Sequence, residues 1–275
     1  MTDPTVVSSA VFRRLVRSRT PVFGTFIKIP SIDSVDVISG SGFDFAVVDL
    51  EHSQLSDEAC SLLVRHAAAI GLPVVVRMPA VDAALINRAL EAGAAGVQVS
   101  SLQRVGEIKD LVAASRYPPS GTRSASTAQP AAQFGKLSLN EYLSAESAAP
   151  PLLVGQVESA TTADPLDSLA ESGLDVVFVG TTDLSVDLGA PGRSEHAPFI
   201  ERLREIAGAA MRSQVAFGGF ANGSRDCEQL IGLGATYLII GSDIHALRDG
   251  LSRLIAEKGS SSVAETPSST TASLP

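Results

Sequence analysis

Asp49, Glu51 and His52 fall within four positions, directly after the apolar run "FAVV". An imidazole beside a carboxylate is a base suited to neutral pH, with Asp49 expected to hold His52 in one tautomer and raise its basicity. Two further acids, Glu158 in "VGQVES" and Asp183 in "GTTDLS", suit a hard divalent cation. Such a cation takes one or two protein carboxylates and leaves room for water and substrate oxygens. Arg77, closing "VVVR", suits a substrate carboxylate or an enolate oxyanion. The set favours metal-assisted enolate chemistry.

Each residue also has an ordinary structural reading. Arg77 could form a barrel ion pair with Asp49 or Glu51. Glu158 could be an acid at a helix N-terminus, Asp183 an N-cap and His52 a plain loop histidine. Lys28 is the one lysine at a strand end, but "FIKIPS" offers no activating neighbour for a Schiff base. What separates the chemical reading from the structural ones is where the elements place the whole set.

Short apolar runs alternate with longer amphipathic stretches. Strands are expected at 22–27, 45–49, 73–77, 96–99, 152–157, 176–180, 215–218 and 237–240. Helices are expected at 31–41, 56–70, 83–92, 105–115, 163–172, 200–212, 224–231 and 242–258. Eight βα units with near-continuous apolar strands predict an α/β fold, a single-domain (β/α)8 TIM barrel over residues 21–258. A doubly wound open sheet is the alternative, and no GxGxxG follows the first strand to support it. Barrel active sites lie at the C-terminal ends of the strands, where these polar residues fall. An N-terminal helical segment (1–20) precedes the barrel. The Pro/Ser/Ala/Gly-rich stretch 117–151 is too long for a simple connection and reads as an active-site loop or subunit contact. The Ser/Thr-rich tail, 259–275, is expected to be disordered.

Composition removes several classes. A net charge of −9 leaves no basic footprint for nucleic acid. No apolar run reaches the length of a membrane span, and no signal-peptide core is evident, so a soluble cytoplasmic protein is expected. Two distant cysteines, Cys60 and Cys227, make no disulfide scaffold.

The segments "GTFIKIPSIDSVDVISGSGFDFAVVDLEHSQLS", "VVVRMPAVDAALINRALEAGAAGVQV", "AASRYPPSGTR", "VGQVES", "LDVVFVGTTDLSVDLG" and "LGATYLIIGSDIHAL" resemble the class II, metal-dependent pyruvate aldolases of the HpcH/HpaI family. The resemblance spans residues 24–247. It implies an aldolase that cleaves or forms a 4-hydroxy-2-keto acid through a pyruvate enolate and an aldehyde. Glu158 and Asp183 would ligate Mg²⁺, Mn²⁺ or Co²⁺, with no organic cofactor. His52, paired with Asp49, would be the acid/base, and Arg77 would bind the pyruvate carboxylate or enolate oxygen. Gln156 and the backbone amides at Thr181 and Thr182 would line the substrate, and Glu91 would organise the site from a subunit or outer contact. A homo-hexamer, built as a trimer of dimers with the last helix exchanged, is also implied.

Where many members read G-P-x-D-L-S this chain reads "GTTDLS", and Ser100 stands where Pro is usual. Two alternatives therefore stand beside the aldolase. One is a citrate-synthase-like or oxaloacetate-decarboxylating condensing enzyme of the same superfamily. The other is a non-catalytic barrel acting as a binding protein.

Overall fold

The computed structural model describes residues 11–16, 18 and 20–261, the side chains of 258–261 excepted. The eight apolar runs are parallel strands, hydrogen-bonded in sequence order and closed between β8 and β1. They are β1 (Val22–Ile27), β2 (Phe45–Asp49), β3 (Val74–Met78), β4 (Gly96–Val99), β5 (Leu152–Val157), β6 (Val176–Val179), β7 (Ala216–Ala221) and β8 (Ala235–Ser242). The expected (β/α)8 barrel is the observed fold.

Residues 11–16 form a helical turn, α1. The helices that follow are α2 (Ile32–Gly40), α3 (Asp57–Ile70), α4 (Ala83–Ala92), α5 (Val105–Ser115), α6 (Leu139–Ala148), α7 (Leu166–Ala170), α8 (Thr181–Asp187), α9 (Ala197–Arg212), α10 (Ser224–Gly232) and α11 (Asp243–Ser261). Caps set their starts: Ser31, Ser56 and Asp82 each accept first-turn amide hydrogens.

Side chains alternate between two cores, as period-two strands require. One set, including Ile27, Val48, Val76 and Val97, packs outward against the helices. The other fills the barrel: Val22 and Phe26, Phe45 and Val47, Val75, Leu152 and Val154, Val176 and Phe178, Tyr237 and Ile239. Phe12 and Val16 of α1 join this inner set. The Phe12 ring lies 5.1 Å from Phe45, which lies 4.5 Å from Tyr237. Aromatic rings thus fill the barrel interior at that end.

Several boundaries differ from expectation. β7 runs on through Gly218 and Gly219 to Ala221. Glycine there serves close approach, since a Cβ on Gly218 would lie 2.5 Å from the Tyr237 carbonyl. α7 begins only at Leu166, because Pro165 disfavours a helical residue before it. The stretch 117–151 contains α6, whose capping box joins Ser138 and Glu141. Tyr142 of α6 is buried and meets the Tyr117 hydroxyl at 2.9 Å. Arg123 stacks over Tyr117 and bonds Asn87 and Glu146, so the "RYPPSGTR" motif ties this excursion to α4.

α11 continues three residues past the expected barrel end at Lys258, and residues 262–275 of the expected tail lie outside the described residues, as do 1–10 of the N-terminal segment. Ile244, Leu247, Leu251, Leu254 and Ile255 repeat along α11 at helical spacing and are exposed. Beside them a groove of about 950 Å³ runs between α11 and α2, lined by Val37, Ile38, Phe43 and Ile240 among others. Among the described residues, no helix is long and apolar enough to cross a membrane.

Candidate active site

The inward rows of the barrel core turn polar at their C-terminal ends. Val22, Gly24 and Phe26 lead to Lys28; Phe45 and Val47 to Asp49; Val75 to Arg77; Gly96 to Gln98 and Ser100; Leu152 and Val154 to Gln156 and Glu158; the β6 row, Val176 and Phe178, ends instead at Gly180. Strand register sets Asp49 beside Arg77 and Arg77 beside Gln98.

Asp49 is fully buried and is the hub of one half. Arg77 grips it with Nε at 2.9 Å and Nη2 at 2.7 Å, and Lys28 Nζ stands 2.9 Å from Oδ2. The backbone amides of Glu51 and His52 both donate to Oδ1 at 3.1 Å. Burial pushes this carboxyl up, but Arg77, Lys28 and the His52 amide outweigh it and hold the pKa down at about 2. The ring of Phe26 lies beneath the guanidinium at 4.2 Å.

This corrects one expectation. Asp49 meets His52 through the backbone amide, not the ring, because its oxygens are taken by Arg77, Lys28 and two amides. The imidazole is 54% exposed, and its Nε2 lies 3.8 Å from Glu51 Oε2. Lys28, the one candidate Schiff-base lysine of the sequence, has its Nζ engaged in an ion pair with Asp49. The structural reading of Arg77 as a partner of Asp49 or Glu51 is seen in the ion pair its Nε and Nη2 make with Asp49, with Nη1 also 3.4 Å from Glu51.

Glu158 anchors the other half. Gln156 Nε2 donates to one of its oxygens and Ser101 Oγ to the other. Gln98 in turn donates to Gln156 Oε1 at 2.7 Å, and its own buried oxygen has no partner among the described residues. Ser100 Oγ bonds Glu51 at 2.5 Å. Ser101 adopts a left-handed backbone, uncommon outside glycine, as it reaches Glu158. Gly180 makes room for these side chains: a Cβ there would lie 2.3 Å from Glu158 Oε2 and 2.9 Å from Gln156 Nε2, so they would have to shift.

Burial raises the Glu158 pKa; the Ser101 and Gln156 bonds lower it, and the charges of Asp183 and Glu51 raise it again. Among the described residues neither Glu158 nor Asp183 has a cationic partner. No three His, Cys, Asp or Glu side chains among them form a group able to hold a metal unaided. Two uncompensated carboxylates fit a hard cation that draws its other oxygens from water and substrate.

Asp183 lies in the first turn of α8, not at its cap, which is Gly180. Thr181 and Thr182 open that helix, whose first amides have no helical acceptors. Thr181 Oγ1 is committed to the Phe220 carbonyl at 2.9 Å. Glu91 lies on α4 in an outer groove with Arg65, Arg88 and Phe134, away from the mouth. The sequence places Lys28, Gln98 and Ser100 at strand ends without assigning them the partners seen here; Ser101, which the inward alternation does not reach, was missed.

Fold and site together define a (β/α)8 barrel whose strand C-termini carry an acid pair, a buried guanidinium and an open imidazole. The chain belongs to the HpcH/HpaI aldolase/citrate lyase family, whose model matches residues 23–250. It is 28% identical over 236 residues to a hydroxypyruvate/pyruvate aldolase of Paraburkholderia phytofirmans, covering 83% of this chain and 90% of that one. It is 29% identical over 247 residues to a 5-keto-4-deoxy-D-glucarate aldolase of Escherichia fergusonii, covering 88% and 94%. A crystal structure of a family protein from Burkholderia cenocepacia superposes with a TM-score of 0.83 at 27% identity, covering 90% of this chain and 98% of that one.

Proposed function

We propose that this protein is a divalent-metal-dependent aldolase that cleaves or forms a 4-hydroxy-2-keto acid through a pyruvate enolate and an aldehyde. The observation that carries this reading is the pair Glu158 and Asp183, with no cationic side-chain partner among the described residues, in a mouth that also holds the buried Arg77 guanidinium. The aldolase names of the relatives support it.

Glu158 and Asp183 would hold the metal, which supplies Lewis-acid stabilisation of enolate charge. The rest follows from the chain's own groups. Arg77 is locked by Asp49 through Nε and Nη2, so Nη1 is the donor left for a substrate oxygen. First-turn amides of α8 suit the substrate carboxylate. His52, whose exposed ring lies beside Glu51, would take the proton of the C4 hydroxyl; the C3–C4 bond breaks, its electrons enter the enolate, the aldehyde leaves, and C3 is then protonated to give pyruvate. The exposed strip of α11 and its neighbouring groove support the expected homo-oligomer with an exchanged last helix.

The test is deuterium exchange into the pyruvate methyl group in D₂O, followed by NMR, with Mg²⁺, Mn²⁺ or Co²⁺, with chelator, and with Glu158→Gln. Metal-dependent exchange abolished by the substitution is expected. A folded protein that shows none with any metal would overturn the pyruvate reading and direct attention to oxaloacetate with an acyl-CoA or aromatic acceptor.

A further inference from the structure

The geometry points to Lys28 as a positioning residue for His52, an inference that rests on the acid/base role proposed for that histidine. Lys28 continues the inward row of β1 into the mouth, and besides lying 5.6 Å from the Phe26 ring centroid its Nζ meets two oxygens: Asp49 Oδ2 at 2.9 Å and the backbone carbonyl of His52 at 3.1 Å. The first is not needed to neutralise Asp49, which Arg77 already grips with two nitrogens. The second reaches a residue whose ring has no hydrogen bond among the described residues, only the 3.8 Å approach to Glu51. The backbone of His52 must therefore aim the ring. Asp49 holds its N–H and Lys28 its carbonyl, while Ser53 Oγ closes the turn onto the Asp49 carbonyl.

Lys28 is itself fixed from the far side of the barrel seam. Asp243, the first residue of α11, accepts the N–H groups of Lys28 and Ile29, each at 3.0 Å, and the Ser34 hydroxyl at 2.8 Å. The charged groups Arg77 and Glu51 also face this turn. The chain of contacts runs from the start of the last helix, through Lys28, to the base.

Lys28→Met and Lys28→Arg test it. Met keeps length and removes charge; Arg keeps the charge and can span both oxygens. Lys28→Met is expected to lower kcat for aldol cleavage about 10- to 100-fold with KM changed less than about threefold, and Lys28→Arg to recover most of it. In protein labelled with ¹³C-histidine, the His52 ring signals should shift or broaden in Lys28→Met while those of His66, His196 and His245 stay in place. Lys28→Gln replaces the Met variant should that fold poorly. If the unsubstituted enzyme neither cleaves nor exchanges, the proposed function has failed and the histidine signals alone decide the positioning. Unchanged His52 signals, or an unchanged kcat in an active enzyme, overturn the role of Lys28.

Discussion

Replacing Asp49 by Asn removes the one anion that holds two cations at the mouth. The Arg77 side chain is only 7% exposed and that of Lys28 19%, so water replaces the lost carboxylate poorly. Removing one partner of a buried ion pair costs about 3–5 kcal/mol. Glu51, 3.4 Å from Arg77 Nη1, can take up part of the charge, which places the expected loss near the lower end, about 3 kcal/mol. Urea unfolding at pH 7 measures it. The pH dependence gives a second reading. A folded pKa of about 2 against an ordinary 3.8 corresponds to about 2.5 kcal/mol of stability. Because the folded value is depressed, that contribution is present above the ordinary value and is lost as pH falls through about 2. The gap between the native protein and Asp49→Asn should therefore be widest at neutral pH and narrow in acid. A variant within about 1 kcal/mol of the native protein at pH 7, or a gap constant down to pH 2, would refute the reasoning.

Gly180→Ala should leave the circular dichroism spectrum of the barrel intact but cut pyruvate methyl exchange at least about tenfold, since the new methyl displaces the Glu158 carboxylate it would otherwise overlap. Exchange at the native rate would show that the placement of Glu158 does not matter. Leu251→Asp with Leu254→Asp puts two charges into the apolar strip of α11, and light scattering should report a smaller assembly. An unchanged mass would rule that strip out of the proposed subunit interface.

The α6 segment shows how a helix can hide. "LNEYLSAESA" buries only Tyr142, so its apolar periodicity is faint, and the stretch around it is rich in turn-forming residues. The legible signal was the capping box, Ser138 followed three positions later by Glu141. The "VVDLEH" run taught a different lesson. Its acids and imidazole lie together at a strand end, as expected, yet proximity in sequence did not make Asp49 and His52 side-chain partners.

Local order was the sequence's own doing. Eight apolar runs broken by capped helices define a barrel, and period-two alternation turns Asp49, Arg77, Gln156 and Glu158 inward at strand ends, because those preferences belong to the backbone and act over a few residues. The choice of partners was decided only by tertiary structure. Register between β2 and β3 sets Asp49 against Arg77, packing in the barrel brings Lys28 across from β1 and two serines to Glu51 and Glu158, and closure of β8 on β1 brings Asp243 to Lys28. A buried carboxylate bonds to the strongest donors within reach, and which donors are within reach depends on strand register between segments far apart in the chain.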